Sequence, residues 1–389
     1  MTSPKELAMA YGAALDPERA VIGCLGEAVE RYSGCHPDLR KVRIAAWKDF
    51  KEEALHPDQI AGYCKSQYRQ LSKWVAPFTE KIKVGWVKGK YVNSGQPVWV
   101  PSQCVYLGRI PGETIVLERG STGLAAGSSM EQAILHGLLE VVEHDAFTIA
   151  WLNRLSPPIV ELEKHSYLQS VFQEQLARPH LNYKIVDITT DLGIPSYVVI
   201  IRQKSGWPCL RTATCTRLDA PEAIIKAAIE GLVSRTIILY QRSYYENVTK
   251  GKSVTQVFKE TAQDNHGDTY ADPRFFRYAE FLGSSKRRIQ ERELPNYSQK
   301  DTKKDLAFCL AKLKSKGFEP IVVDITPNEV RRYGLKAVKV IVPGLQPLHF
   351  GLHFARLKNR RLYEAPVAMG YKKRPTTMKE IYRIPHPLM

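Results

Sequence analysis

Leu139-Glu140-Val141-Val142-Glu143-His144-Asp145 is the stretch on which the fold turns. Residues three and four apart share one face of an α-helix, so Glu140, Glu143 and His144 project together, while Ile134, Leu138 and Val141 form an apolar side. The segment has a precedent upstream. Asp16-Pro17-Glu18-Arg19-Ala20 opens a run in which Glu27 stands eleven residues after Asp16, followed by Glu30 and Arg31. In the later stretch Ser129 is the opening residue and Glu140 again stands eleven on. A third copy starts at Asp219, with Pro221 behind it and Glu230 eleven on; Val233 takes the second acidic position and Arg235 follows. Asp and Ser side chains accept from the free amides of a first helical turn, and Pro fits the first helical positions, so three capped helices are predicted. With Val21, Cys24 and Leu25 as the apolar side of the first, both acidic helices are expected to be partly buried, their carboxylates at a core edge. A single Glu-x-x-Glu is ordinarily a solvated helix face. The same capped layout repeated argues for a shared role, because paired buried carboxylates repel and a divalent cation with oxygen ligands relieves them.

Strand signals lie between these helices. Gly85–Val92, Cys104–Leu107, Thr114–Leu117, Tyr183–Ile188, Ser196–Arg202, Pro320–Ile325 and Val338–Val342 are rich in Val, Ile and Tyr and mostly lie near turn residues. Strands mixed with capped helices predict an α+β chain with mixed β-sheets. The polar, basic stretch Tyr244–Lys303 reads as loop and short helix, with mobility to match.

Composition narrows the function classes. Lys and Arg total 56 against 40 Asp and Glu, a formal charge of +16, which attracts nucleotide phosphates, an acidic peptide or an acidic partner. A nucleic-acid role has only that basic surface behind it. No apolar run is long enough to span a bilayer, and the amino terminus lacks a charged-then-apolar signal pattern, so a cytoplasmic protein is expected. The seven cysteines are scattered with no C-x-x-C pair, which predicts reduced thiols rather than a zinc site. Neither a G-x-x-x-x-G-K-[ST] phosphate loop nor a G-x-G-x-x-G dinucleotide fingerprint is present. No Ser-His-Asp set can be defended from spacing.

The motifs resemble one family. Gly23-Cys-Leu-Gly-Glu27-Ala-Val-Glu30-Arg31-Tyr32-Ser33 is similar to the first acidic helix of the YcaO family. Ser121 to Gly127, with Leu139 to Phe147, resembles its second helix and approach loop; Pro221 to Arg235 resembles the third. A fourth block runs from Val338 through Pro343-Gly-Leu-Gln-Pro347-Leu-His349-Phe350 to Asn359-Arg360-Arg361-Leu362-Tyr363. The resemblance runs from about Tyr11 to the carboxyl end. It implies the YcaO fold, a catalytic domain over 1–365 and a tail over 366–389 carrying Pro-x-Pro.

The resemblance also implies chemistry. Such proteins bind Mg²⁺-ATP between acidic helices and phosphorylate the oxygen of a backbone amide in a ribosomally made precursor peptide. In the azoline-forming branch a Cys, Ser or Thr of the peptide attacks the preceding carbonyl, and loss of phosphate leaves a thiazoline or oxazoline. Thioamide or amidine formation uses the same activation, and a degenerate scaffold is a further possibility. By position, Glu27, Glu30, Glu140 and Glu143 are expected to hold metal and nucleotide. Arg31, Ser128, His144, Glu230 and Arg235 complete the nucleotide site, and Pro387 of the tail reaches the reacting centre. An E1-like or leader-peptide-binding partner and a homodimer are implied as well.

Several family positions are altered: Ala13 stands for Lys, Gly23 for Ser, Ser128 for Asn, Gln132 for Glu, His144 for Arg and Val233 for Gln. Losing a Lys and an Arg near phosphates weakens charge stabilisation by roughly several kcal/mol. His144 replaces the Arg only if protonated, which the neighbouring Glu143 is expected to favour.

Overall fold

A computed structural model describes residues 10–50, 53–60, 62–203, 205–260 and 266–388. Residues 1–9, on which part of the signal-peptide reading rests, 261–265 of the basic stretch, and Met389 of the tail lie outside the described residues.

Eleven strands are described: β1 Arg43–Ala46, β2 Lys83–Tyr91, β3 Pro97–Pro101, β4 Leu124–Gly127, β5 Ile159–Glu161, β6 Leu181–Asp187, β7 Ser196–Gln203, β8 Leu210–Thr216, β9 Arg288–Gln290, β10 Ile321–Asp324 and β11 Lys336–Ile341. They form two sheets. The first has the antiparallel order β1-β2-β10-β11-β4, with β3 also on β2. The second runs β8-β7-β6-β5-β9, antiparallel except for the parallel pair β5 and β9. The principal helices are α1 Pro17–Cys35, α2 Met130–Leu152, α3 Ala220–Tyr240, α4 Thr302–Ser315 and α5 Arg361–Ala368. The fold is mixed α+β, as expected.

The predicted caps are present. Asp16, Ser129 and Asp219 accept from the amides of Arg19, Gln132 and Glu222 at 2.9, 3.1 and 3.1 Å. Each such cap contributes about 1 kcal/mol. α2 is the central element: Ile134, Leu138 and Val141 are buried, and the helix packs on β4 and β11 at one side and on β7 and β8 at the other. Its approach to the first sheet depends on two glycines. A Cβ at Gly123 (φ +81°) would lie 2.1 Å from the Val340 carbonyl oxygen, and one at Gly137 would lie 2.7 Å from that of Gly123.

The first helix departs from expectation. Val21 and Leu25 are 59% and 62% exposed. The carboxyl-terminal half of α1 meets the body, where Ser33 and Gly34 are buried and Gly34 sits against Leu124 of β4.

β2, β6, β7, β10 and β11 fall where the strand signals lie, but Cys104–Leu107 and Thr114–Leu117 are not strands. There a side chain replaces a strand partner: Gln103 donates to the Thr114 carbonyl and accepts from the amides of Val116 and Leu117. The stretch 244–303 holds short helices and β9, and its Tyr270, Phe275 and Leu282 are core residues. The tail is likewise packed. Ile381, His386 and Leu388 are buried, and Trp151 of α2 donates its indole N–H to the Ile384 carbonyl at 2.8 Å.

Candidate functional site

β4 and β8 are edge strands, one in each sheet, and each presents backbone groups that no further strand takes up among the described residues. The acidic helices satisfy them. Glu30 of α1 accepts from the Ala126 amide of β4 at 3.1 Å. Glu143 of α2 accepts from the Thr214 hydroxyl at 2.6 Å and the Thr216 amide at 3.0 Å, both on β8. Glu140 accepts from the Gly123 amide, just before β4, at 3.3 Å. The two sheet edges thus meet over one group of carboxylates.

These groups act on one another. Burial, with the Glu27 charge beside it, pushes the Glu30 carboxyl up to about 7. Burial and then Glu30 push Glu140 well above the usual carboxylate range. Burial also raises Glu143 and Glu230, and Glu230 feels Glu143. Glu230 keeps 42% of its side chain open and pairs with Lys226 at 3.3 Å, so solvent moderates its shift. Glu27 pairs with Arg31 at 2.9 Å and takes the Tyr11 amide at 2.7 Å. Five carboxylates from three helices therefore form a connected line of like charges.

Among the described residues no three His, Cys, Asp or Glu side chains stand close enough to enclose a metal by themselves. Mg²⁺ does not require such a cage: it takes one or two carboxylates and completes its shell with phosphate oxygens and water. Repelling carboxylates of raised pKa, with cations interspersed, fit a magnesium-bearing polyphosphate.

The remaining expected residues divide. Ser128 is exposed and bonds Gln132 through its amide and hydroxyl, each at 2.8 Å. Arg235 reaches Gln203 and His180 rather than any of the glutamates. Pro387 is buried with the tail, which runs beside α2: the His386 ring stands 5.5 Å from the Phe147 ring, and His144 acts on it electrostatically. His144 itself differs from expectation. Burial and then Lys339 push it down to about 4, so it is a neutral imidazole at neutral pH. Its Nδ1 lies 2.7 Å from the Thr122 hydroxyl. Consecutive helical residues point about 100° apart, and Glu143 is engaged with β8, so it does not hold a proton on His144.

Cations that motif spacing does not mark stand beside the carboxylates: Lys339 by Glu140, and Arg217 and Lys226 by Glu143 and Glu230. Lys339 is 3% exposed, and its burial pushes the ammonium down to about 8. A signal was available in composition: in Ala337-Val338-Lys339-Val340-Ile341 a single lysine interrupts an apolar strand, and four successive residues of β11, Lys339 among them, are buried.

Residues 11–346 match the family described as YcaO cyclodehydratase, ATP- and Mg²⁺-binding. The chain belongs to the YcaO family. It is 24% identical over 361 residues to an uncharacterised protein of the tfuA 3′ region of Rhizobium leguminosarum bv. trifolii, covering 87% of this chain and 77% of that one. Its fold is similar to that of a heterocyclase solved in complex with substrate and cofactor, at TM-score 0.79 and 24% identity, covering 97% of this chain and 49% of that one. It is also similar to YcaO from Methanopyrus kandleri bound with AMPPCP and Mg²⁺, at TM-score 0.62 and 19% identity, covering 86% and 78%. The chain spans about half the length of that heterocyclase. Among the described residues no helix is long and apolar enough to cross a membrane.

Proposed function

We propose that this YcaO protein uses Mg²⁺-ATP to activate backbone amides of a ribosomally made precursor peptide, closing Cys, Ser or Thr residues into thiazolines or oxazolines. The observation that carries the reading is the line of mutually repelling carboxylates where the two sheet edges meet. When bound, Mg²⁺-ATP supplies a phosphoryl group that turns the amide oxygen into a good leaving group. The chain's own residues bind and position. Glu27, Glu30, Glu140 and Glu143 would share the magnesium and nucleotide contacts, each ion taking one or two of these carboxylates and completing its shell with phosphate oxygens and water. Arg31 orients Glu27, and Glu230 with Lys226 borders the site. The tail with Pro387 packs along α2 within the same core and excludes water from the inner side. Glu30 is fixed in advance by β4, Glu140 by the amide just before it and Glu143 by β8, so little reorganisation accompanies transfer, where positioning and charge neutralisation dominate.

A homodimer and a partner or further segment that recognises the leader peptide complete this reading. The additional length of the heterocyclase relative suggests where such recognition resides. Thioamide formation by the same activation is the second reading, favoured by the likeness to a protein of a tfuA region.

Calorimetric titration of Mg²⁺-ATP tests the proposal. Binding by the wild type that is lost in Glu27→Ala and Glu140→Ala, with melting temperatures retained, supports it. Normal ATP binding and turnover by both variants refutes the site.

A further inference from the structure

Lys339 is a buried ammonium that lacks a full set of partners. An ammonium carries three donors. Lys339 uses one of them, to the Gly120 carbonyl at 2.6 Å, and forms no ion pair among the described residues. A buried charge in this state costs several kcal/mol unless something of opposite sign completes it.

Its surroundings indicate what that is. Lys339 lies on β11, opposite Leu124 of the edge strand β4. Three side chains converge on the loop leading into that strand. Lys339 holds the Gly120 carbonyl, the His144 ring holds the Thr122 hydroxyl, and Glu140 takes the Gly123 amide at 3.3 Å. Of the three, Lys339 brings the positive charge, and Glu140 belongs to the carboxylate line. A partner that completes Lys339 at this junction of the loop and the carboxylate line is anionic. An inert structural lysine would be expected to close on Glu140 as an ion pair, and this one does not.

We propose that Lys339 is a phosphate-binding residue of the Mg²⁺-ATP site, meeting the negative charge of the β- and γ-phosphates where the loop 120–123 approaches the acidic helices. This deepens the function proposed above and rests on it. It assigns a cation to a site whose second acidic helix carries a histidine, His144, next to its acidic pair.

The test is a comparison of nucleotides on the full chain. Mg²⁺-ATP and AMP are titrated by calorimetry, with competition for the weaker ligand, into wild type, Lys339→Met and Lys339→Arg. Lys339→Met should weaken Mg²⁺-ATP about 30-fold, the loss expected for one charge-assisted hydrogen bond, and leave AMP within about threefold. Lys339→Arg should recover most of the ATP affinity. Equal Mg²⁺-ATP affinity in wild type and Lys339→Met overturns the inference while leaving the acidic site standing. Parallel losses of ATP and AMP overturn it too, because they show a structural lysine. If Lys339→Met does not melt cooperatively, the Lys339 ¹³Cε resonance of the wild type, assigned by its loss in Lys339→Arg, takes its place: a shift with Mg²⁺-ATP and not with AMP supports the inference, and a resonance unmoved by ATP overturns it. A wild type that binds no nucleotide refutes the parent reading, and this inference falls with it.

Discussion

Glu143 of α2 accepts the Thr214 hydroxyl of β8 at 2.6 Å, so a helix at the centre of the molecule is fastened to the edge of the second sheet by a candidate metal ligand. Thr214→Val keeps the shape and removes the donor. A buried carboxylate left short of a partner costs about 1–3 kcal/mol. Urea unfolding should show a loss of that size. Mg²⁺-ATP affinity should change less than it does in Glu140→Ala, because the Thr216 amide still positions Glu143.

Glu30 gives the opposite sign. Its carboxyl is pushed up to about 7 by burial, with Glu27 adding to the effect. Glu30→Gln removes a charge that the apo protein accommodates poorly and keeps an oxygen for the Ala126 amide. The apo variant should therefore be more stable than wild type by about 0.5–2 kcal/mol, and it should fail to bind Mg²⁺-ATP. A variant that is destabilised and still binds would show that Glu30 is structural.

The two sides of the site differed in how far sequence exposed them. Capped helices and their acidic faces were legible because caps and helical spacing are local. The eleven-residue offset located Glu27, Glu140 and Glu230 on their helices, and all three lie in the carboxylate line. What the glutamates bind was not legible, because Ala126 and Thr216 stand far along the chain and meet them only through the sheet edges. β8, Leu210-Arg-Thr-Ala-Thr-Cys-Thr216, was missed for a different reason. Its residues are all buried, so no inward and outward alternation marks it, and its threonines serve Glu143 and Ser196. Lys339 was hidden because a lone lysine is ordinarily a surface residue. His144 was expected to be charged because its chain neighbour is acidic, whereas in the fold its surroundings are Lys339 and the protein interior.

His266, His349 and His386 form a buried group behind the tail, with ring centroids 4.1 to 5.9 Å apart. Burial, and the neighbouring imidazoles, hold all three below the ordinary histidine range, His386 at about 3. The folded state then binds fewer protons than the unfolded chain once pH falls below about 6.5. Their contribution is complete above that value and is lost on acidification, at up to about 1.4 kcal/mol per pH unit for each ring. Glu30 and Glu140, whose pKa values are raised, work in the other direction, so a difference measurement is needed. Between pH 6 and 5 the stability slope of His386→Asn should be shallower than wild type by about one such increment. Equal slopes would show that His386 is protonated in the fold.

Arg361 bridges α5 to the middle of α2. Its Nε lies 2.9 Å from both oxygens of Asp145, which is fully buried, and its Nη2 lies 3.0 Å from Asp191. Asp145 also accepts the Gln346 amide at 2.8 Å, which fixes the loop 343–350 that carries His349. Arg361→Met would leave the buried Asp145 carboxylate without its cation, whereas Asp191 keeps Lys316 at 3.8 Å. Breaking a buried pair from one side costs about 3–5 kcal/mol, whereas replacing both partners by neutral groups costs much less. Adding Asp145→Asn to Arg361→Met should therefore restore part of the lost stability, with a coupling of about 0.5–3 kcal/mol in the double-mutant cycle. Strict additivity of the two substitutions would mean that Arg361 stabilises the protein through Asp191 and its own packing, and that the loop 343–350 is held by other contacts.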